Sequence, residues 1–342
     1  MSRIAEHLAE LTGFRDRELL DVSLVGALKD LVHPLALAIY RVVGEPGQQH
    51  WITRARLGPG ETTPSADSLW AELESLPALA AKPEHAHCLS GGQVLARPGP
   101  PAMTLFPLAT ERETVGVLEI TTAAPLDDER RRLVDSILRI YRNFQGLLDY
   151  SERDTLTGLL NRKTFDECFL RMALPAGASA GAGGDGSRRS GQAGRAFLGV
   201  IDIDHFKRVN DSFGHLIGDE VLLLMSRLMR ASFRHHDHLF RFGGEEFVVL
   251  MRCGRADDAA TAFERLRANV EGYGFPRVGR ITVSAGFTEL RGGDTPTGCF
   301  ERADKAVYHA KQNGRNQVHD HAALVSRGVL DDESRASDVE LF

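Results

Sequence analysis

The glycine pair Gly243-Gly244 lies between two β-forming runs, HLFRF before it and EEFVVLM after it. Such a pattern predicts a tight β-hairpin, because glycine readily adopts the positive φ angles that the turn requires. The turn places Glu245 and Glu246 at the tip, where the glycines would let a phosphate approach the backbone. Since acidic side chains repel a bare phosphate, such a ligand needs a divalent cation between them, and Mg²⁺ prefers this combination of oxygen ligands. An ordinary solvated hairpin would carry the same residues.

A second acidic pair follows a predicted strand. Residues 196–203, AFLGVIDI, form an apolar β-rich run that ends in Asp202 and Asp204. Apolar strands that end in carboxylates commonly deliver metal ligands to the edge of a sheet, where oxygen donors suit a hard cation. The polar stretch 206–220, FKRVNDSFGHLIGDE, is predicted to be rich in loops.

Two helical segments follow from apolar spacing. Residues 221–233 repeat apolar side chains at helical intervals, and Asp219 just before them is a candidate N-cap. A later helix ends at Asn313-Gly314, with Lys311 and Arg315 flanking that end. Two cations there can bind phosphate, although Lys and Arg near a helix C-terminus also simply complement the helix dipole.

Composition limits the class of protein. The 342 residues, 42% hydrophobic and 26% charged, predict about two globular domains. A net charge of -6 argues against a broad nucleic-acid-coating surface, so no nucleic-acid partner is expected. No apolar run is long enough to span a bilayer and the N-terminus lacks a signal-peptide core, which predicts a cytoplasmic protein. The four cysteines are far apart and are expected to be reduced thiols in or near cores.

Residues 1–127 alternate helix-like and strand-like pieces. Residues 17–33 are predicted to be helical, and ALAIYRVV and HWITRARL to be strands. MTLFPLA and TVGVLEITT form a later strand pair joined by the polar turn TERE. This order, with an exit helix after it, resembles a GAF domain, and a PAS domain is the main competitor. We expect a small α+β sensor domain with an unknown ligand, or a scaffold without one.

Residues 128–152 are predicted to form a long connecting helix. A heptad seam runs along it, with apolar residues at Leu133, Ile137, Ile140, Phe144 and Leu147. The seam indicates a dimeric signalling helix, and an amphipathic helix packed on its own domain is the alternative.

Two segments have compositions typical of disorder. Residues 175–194, PAGASAGAGGDGSRRSGQAG, have almost nothing to bury and are predicted to be a flexible insertion. The polar, acidic stretch 319–342 is predicted to be a disordered tail.

Six motifs occur in order along residues 153–318: DTLTGLLNR, DIDHFKRVND, FGHLIGDE, RFGGEEF, VSAGF and ADKAVYHAKQNGRN. Together they closely resemble the GGDEF family of diguanylate cyclases, with the signature in its GGEEF form. The resemblance implies an α+β fold, a five-stranded sheet flanked by helices and akin to nucleotidyl cyclases and the polymerase palm. It also implies condensation of two GTP into cyclic di-GMP and two pyrophosphates, with Mg²⁺ or Mn²⁺. Each domain binds one GTP, so a homodimer is expected.

The resemblance also assigns roles to residues. The metal is held by three side chains and one carbonyl: Asp202, Glu245, Glu246 and the Ile203 carbonyl. Glu246 is either a ligand or the acceptor of the hydroxyl proton, and with Glu245 and Lys207 it forms the catalytic group. Phosphate is met by the backbone of Gly243 and Gly244 and by the cations Lys207, Lys311 and Arg315. Guanine is read by Asn210 and Asp219, since an Asp accepts two donors that adenine lacks.

A family inhibitory motif, RxxD, falls at Arg234 to Asp237, with five residues between Asp237 and the first signature glycine, Gly243. The resemblance implies that cyclic di-GMP binds there and inhibits the enzyme, with Arg265 as a second contributor. The alternative to an enzyme is a receptor that binds GTP or cyclic di-GMP without catalysis.

Two histidine clusters are further candidates for metal binding. His85, His87 and Cys88 are weighed against a polar loop, and His235, His236 and His238 against surface histidines.

Overall fold

The computed structural model of the chain describes residues 17–44, 47–67, 73–110, 114–173 and 194–331. The chain forms two compact units, with the boundary between Ser151 and Glu152. The predicted flexible insertion lies outside the described residues except for Gly194, and so does the predicted tail from 332 onward. Within the described ranges, no helix combines the length and apolar character that crossing a bilayer requires.

The first unit has three helices and five strands in its described part. In chain order they are α1 (Arg17–Val32), β1 (Ala36–Val43), β2 (His50–Leu57), α2 (Pro83–Gly91), β3 (Leu95–Arg97), β4 (Ala102–Ala109), β5 (Thr114–Thr122) and α3 (Asp128–Glu152), with 3-10 turns at Leu73–Ser75 and Leu79–Ala81.

The strands of the first unit form one antiparallel sheet in the order β2-β1-β5-β4-β3. Strands β1 and β2 have the bounds that the sequence predicts, and the predicted pairing of β4 with β5 is confirmed. This unit is therefore α+β. Its assignment to the GAF or the PAS family stays a prediction.

Helices cover both faces of this sheet. Because side chains alternate along a strand, Ile39 and Tyr40 of β1 point to opposite faces. On the face of Ile39, α1 and α3 contribute Leu24 and Tyr141 to the larger core. On the face of Tyr40, α2 contributes Cys88 to a smaller core.

Helix α3 buries a stripe that differs from the predicted seam. The buried side chains are Val134, Ile137, Tyr141, Gln145 and Leu148, which pack within the first unit. The two stripes share Ile137, and the seam residues Leu133 and Phe144 are partly buried against the same core. The alternative expectation, an amphipathic helix packed on its own domain, is thus confirmed for the buried stripe of α3. Leu147, at the end of the predicted seam, is 66% exposed.

The second unit is larger. Its described elements are β6 (Leu160–Asn161), α4 (Arg162–Ala173), β7 (Arg195–Ile203), α5 (Phe206–Phe213), α6 (His215–Ser232), β8 (His238–Gly243), β9 (Glu246–Cys253), α7 (Ala256–Gly272), β10 (Gly274–Phe275), β11 (Gly279–Arg280), β12 (Val283–Glu289), α8 (Pro296–Gln312), β13 (Val318–Asp320) and α9 (His321–Ser326).

The central sheet in the described part of the second unit has six strands, and the expectation of five is wrong. The order is β13-β12-β7-β9-β8-β6, in which both edge strands pair parallel and the inner strands antiparallel. The edge strands have two and three residues. Such short strands show no periodicity, so only their neighbours reveal them.

Helices lie on both faces of this sheet, which confirms the predicted α+β architecture. Helices α6 and α7 contribute Met225 and Phe263 to the core on one face. Helices α4 and α8 contribute Phe169 and Val307 to the core on the other. The four cysteines are buried free thiols, as predicted.

The predicted disordered tail is wrong at its beginning. Residues Val318–Asp320 form β13 along the open edge of β12, and α9 follows at once. The Asp320 side chain caps α9 by accepting from the Ala322 amide at 3.0 Å. Burial of His321 and Leu324 then holds the segment to the domain.

Candidate active site

Carboxylates gather where the central strands β7 and β9 meet the hairpin turn. Asp202, near the end of β7, lies directly opposite Glu246, the first residue of β9. Lys311 from α8 places its Nζ 2.7 Å from Oδ2 of Asp202. The amide of Ile203 donates to the carbonyl of Glu245 at 3.4 Å, which ties the end of β7 to the turn.

The hairpin turn lies one residue later than predicted. Gly243 pairs with Glu246, so the two turn residues are Gly244 and Glu245. The φ angles of Gly243 and Gly244 are +149° and +50°. No atom lies within 4 Å of a Cβ built on either residue. Glycine is therefore needed for the backbone conformation, and the space beside the turn is open to a ligand.

Arg241 holds this turn in place. Its Nη1 donates to both carboxylate oxygens of Asp154 at 3.1 and 3.2 Å, and its Nη2 donates to the Gly244 carbonyl at 2.9 Å. Asp154 also accepts from the Thr157 hydroxyl at 2.6 Å. Sequence reasoning gave neither Asp154 nor Arg241 a role. The available signal for this contact was that Asp154 and Arg241 carry opposite charges and belong to two of the six motifs, DTLTGLLNR and RFGGEEF.

Burial and nearby negative charge raise the pKa of the carboxylates at the hairpin. Burial is the largest cause for each of Asp202, Glu245 and Glu246. The Asp202 charge further raises the pKa of both glutamates, and Lys311 opposes all three shifts. Asp304, on α8, adds to the rise at Asp202 and Glu246. The cluster therefore carries excess negative charge that favours a bound cation.

The donors at the turn fit a divalent cation. Within the described ranges, no three His, Cys, Asp or Glu side chains converge as a complete metal cage. Mg²⁺ does not need one, because it is commonly held by one or two carboxylates together with waters and substrate phosphates. Asp202, Glu245, Glu246 and the Ile203 carbonyl offer only hard oxygen atoms. This donor set suits a cation shared with a phosphate ligand.

The predicted phosphate-binding cations occupy different positions. Lys311 reaches the carboxylates, as described above. Arg315 follows α8 in a left-handed conformation, with φ of +63°. Lys207 is exposed in the first turn of α5. That helix occupies part of the stretch predicted to be loop, and the apolar spacing of Phe206 and Val209, both buried, was the signal for it.

The predicted guanine-binding residues lie on neighbouring helices. Helix α6 begins at His215, so Asp219 lies inside it and the N-cap interpretation of Asp219 is wrong. A Cβ built on Gly218 would lie 2.0 Å from Oδ1 of Asn210. Glycine at 218 thus lets α5 and α6 approach, and it brings Asn210 beside the exposed Asp219.

The RxxD motif forms a tight turn. The Arg234 amide donates to Oδ2 of Asp237 at 2.9 Å, and the Asp237 amide donates to the Arg234 carbonyl at 3.0 Å. The Asp237 side chain is 1% exposed, whereas Arg234 is exposed. Arg265 donates from Nε to the Ser232 carbonyl at 2.9 Å, just before this turn. The motif therefore presents Arg234 on a fixed backbone.

Within the described ranges, neither histidine cluster is part of a group of three potential metal ligands. His235, His236 and His238 are half-buried, so the expectation of surface histidines is wrong. Burial lowers the pKa of His236 and of His238 to about 4.

The HAHC segment lies on helix α2, so the expectation of a polar loop is wrong. Its buried His85 contacts Glu119, with 2.7 Å between Nε2 and Oε2. Its other buried residue, Cys88, donates from Sγ to the Gln93 carbonyl at 3.3 Å. His87 is exposed on the same helix.

The second unit thus has a mixed sheet with carboxylates at a glycine turn and Lys311 in contact with Asp202, a donor set that suits a divalent cation shared with a phosphorylated ligand. Residues 185–317 match the model of the family described as "Diguanylate cyclase, GGDEF domain". The second unit therefore contains a GGDEF domain.

Two known proteins are similar to part of this chain. The chain is 40% identical over 168 residues to diguanylate cyclase DgcP of Pseudomonas aeruginosa, covering 48% of this chain and 23% of DgcP. It is 36% identical over 215 residues to response regulator PleD of Caulobacter vibrioides, covering 60% of this chain and 43% of PleD. The chain thus spans less than half the length of these two relatives.

Among solved structures, the coiled coil and GGDEF domain of DgcB from Caulobacter crescentus, in complex with c-di-GMP, is also similar. It is 32% identical, covers 57% of this chain and 100% of the solved chain, and has a TM-score of 0.47.

Proposed function

We propose that this protein is a diguanylate cyclase that condenses two GTP molecules into cyclic di-GMP and releases two pyrophosphates. The observation that carries the proposal is the carboxylate group of Asp202, Glu245 and Glu246 at the glycine turn, with Lys311 in contact with it. The similarity of 48% of this chain to diguanylate cyclase DgcP of Pseudomonas aeruginosa supports this activity.

Each half of the reaction is a phosphoryl transfer. The 3′-oxygen of one GTP forms a bond to the α-phosphorus of the other, and the bond from that phosphorus to the bridging oxygen breaks. Pyrophosphate leaves with the bond's electron pair, and the hydroxyl proton passes to a base. Glu246 is the candidate base, because it lies beside Asp202 at the edge of the open turn.

The chain's own residues would position the substrate for this step. Gly243 and Gly244 leave room for phosphate beside the backbone. Lys311 and Arg315 supply positive charge, and Lys207 adds to it from α5. A divalent ion, Mg²⁺ or Mn²⁺, held by Asp202, Glu245, Glu246 and the Ile203 carbonyl would neutralise charge on the phosphates.

Guanine selection is proposed for Asn210 and Asp219. Asp219 is exposed and Asn210 is half-buried, so the Asp219 carboxylate is open to two donors from a guanine edge. Since one domain offers one such site, two domains must face each other to close a cyclic product. A homodimer is therefore part of the proposal.

The first unit is proposed as a sensor that regulates the cyclase through α3. A cytoplasmic location stays a prediction.

The test is an incubation of the purified full chain with GTP and either Mg²⁺ or Mn²⁺, with the product identified by mass. We expect cyclic di-GMP from the wild type and none from Glu246→Ala. If the wild type binds GTP but forms no product with either ion at high protein concentration, the protein is a receptor and the proposed activity is wrong.

Product inhibition is proposed at Arg234, Asp237 and Arg265. Oδ2 of Asp237 accepts from the Arg234 amide and fixes the turn, and the exposed Arg234 guanidinium is expected to bind the product. Arg234→Ala should raise the cyclic di-GMP concentration for half-inhibition about tenfold, the size of one lost charge-assisted hydrogen bond. Arg227→Ala, at an exposed arginine of α6, is the matched control. Equal half-inhibition concentrations in the two variants would contradict the assignment.

A further inference from the structure

Asp204 is a buried carboxylate whose two oxygens are both engaged by the protein. It is 6% exposed and follows Asp202 by two residues. Its Oδ1 accepts from the Ser284 hydroxyl at 2.7 Å. Its Oδ2 accepts from the Thr282 hydroxyl at 2.6 Å and from the Asn316 amide at 3.0 Å.

The contact with Asn316 reaches an unusual stretch of backbone. Gly314, Arg315 and Asn316 have φ angles of +107°, +63° and +50°. A left-handed conformation is costly for the two residues that have side chains, and it persists only where the surroundings impose it. The amide of Arg315 donates to the Ala310 carbonyl at 2.9 Å, which anchors one end of the stretch to α8.

The side chain of Asn316 is held from the other side by α7. Its Oδ1 accepts from Nη1 of Arg267 at 2.9 Å, and its Nδ2 donates to Oε1 of Glu271 at 3.0 Å. Arg267 and Glu271 are themselves in contact, with 2.5 Å between Nη1 and Oε2. Asn316 is thus fixed at its amide by Asp204 and at its side chain by α7.

We infer that Asp204 is a positioning residue that sets the direction of Arg315 by holding the amide of Asn316. The same carboxylate ties the end of β7, which carries Asp202, to Thr282 and Ser284 at the start of β12. One buried side chain therefore fixes the phosphate-binding arginine relative to the carboxylate cluster. This inference rests on the proposed function, because it takes Arg315 as a ligand of GTP phosphate.

The test is a double-mutant cycle in the full chain with Asp204→Asn, Arg315→Ala and both together. Asparagine has nearly the same shape, but it cannot accept at both positions. We expect Asp204→Asn to raise the KM for GTP about tenfold in the wild-type background, the size of one lost charge-assisted hydrogen bond. In the Arg315→Ala background it should raise KM less than twofold, because residues that act through one another are not additive.

A metal ligand or a purely structural residue would behave differently. If Asp204 bound the metal, Asp204→Asn would raise the Mg²⁺ concentration for half-maximal rate in both backgrounds. If Asp204 only stabilised the fold, the melting temperature would fall and the changes in KM would be additive. Either result overturns the inference.

A second, milder pair of variants tests the inference in case Asp204→Asn does not fold. Thr282→Val removes one hydroxyl donor to Asp204, and Thr282→Ser keeps it. We expect Thr282→Val to raise KM and Thr282→Ser to leave it unchanged. Equal KM values for the two variants would also overturn the inference.

Binding separates this inference from the proposed function. The affinity of each variant for a non-hydrolysable GTP analogue with Mg²⁺ is measured by calorimetry. If the wild type makes no cyclic di-GMP but the binding affinities show the same non-additivity, the proposed activity fails and the role of Asp204 stands. If the affinities are additive, or the analogue does not bind, the role of Asp204 is wrong.

Discussion

At the residue scale, the carboxylate cluster that is proposed to bind a cation also lowers the stability of the fold. Burial, Asp202 and Glu246 all raise the pKa of Glu245. A carboxyl whose pKa is raised on folding destabilises the fold above that pKa, where it is ionised, and the cost disappears as the pH falls and it takes up a proton. The cluster therefore costs stability at neutral pH in the absence of a cation.

Glu245→Gln should raise the melting temperature by about 2 °C at pH 7, because it removes one charge from the cluster without changing its shape. The gain should shrink as the pH falls into the carboxyl range, where the wild type is also protonated. Scanning calorimetry without divalent ions at pH 7 and at lower pH measures both effects. Glu301→Gln, on the exposed side of α8, is the control. A gain that does not depend on pH would contradict this electrostatic origin.

At the element scale, a buried polar network holds α3 to the first unit. The Tyr141 hydroxyl donates to Oδ1 of Asp21 on α1 and accepts from Nη2 of Arg41 on β1, at 2.5 Å in the latter contact. Arg41 also contacts Asp21, with 3.2 Å between Nη2 and Oδ1. Gln145 donates to the same hydroxyl at 3.1 Å. Since buried polar groups need partners, this network fixes which face of α3 turns inward.

Tyr141→Phe should lower the free energy of unfolding of the first unit by about 1–3 kcal/mol, because buried polar partners lose a hydrogen bond. Denaturant unfolding of the full chain, monitored by Trp51 in the core of that unit, measures the change. Tyr150→Phe is a matched control on the same helix, since Tyr150 is 80% exposed. Similar unfolding midpoints for the two variants would show that the network contributes nothing to stability.

At the scale of the whole molecule, the sequence predicts what is periodic or part of a motif. Strands β1 and β2, the carboxylates at the glycine turn and the domain family were all accessible in this way. The hydrogen bonds of Arg241 to Asp154 and those that Asp204 accepts could not be predicted, because they join residues far apart in the chain. The edge strand β13 was missed for the same reason, since its partner β12 determines it. These contacts and the edge strand depend on residues that are close in space but distant in the sequence, so the local sequence pattern does not predict them.

The proposed homodimer makes catalysis depend on protein concentration. Leu147 belongs to the predicted seam of α3 and is 66% exposed, whereas its neighbour Leu148 is 5% exposed in the core of the first unit. If the seam pairs two chains, Leu147→Glu should lower the activity per protein on the order of tenfold at low concentration, because a charge in a helix seam opposes association.

High protein concentration should restore the activity of Leu147→Glu, and its melting temperature should equal that of the wild type. Leu148→Glu should instead unfold the first unit, because it buries a charge without a partner. Sedimentation velocity and cyclase assays across a range of protein concentrations measure both variants. If Leu147→Glu leaves the concentration dependence of activity unchanged, α3 does not hold the two chains together and the dimer must form elsewhere.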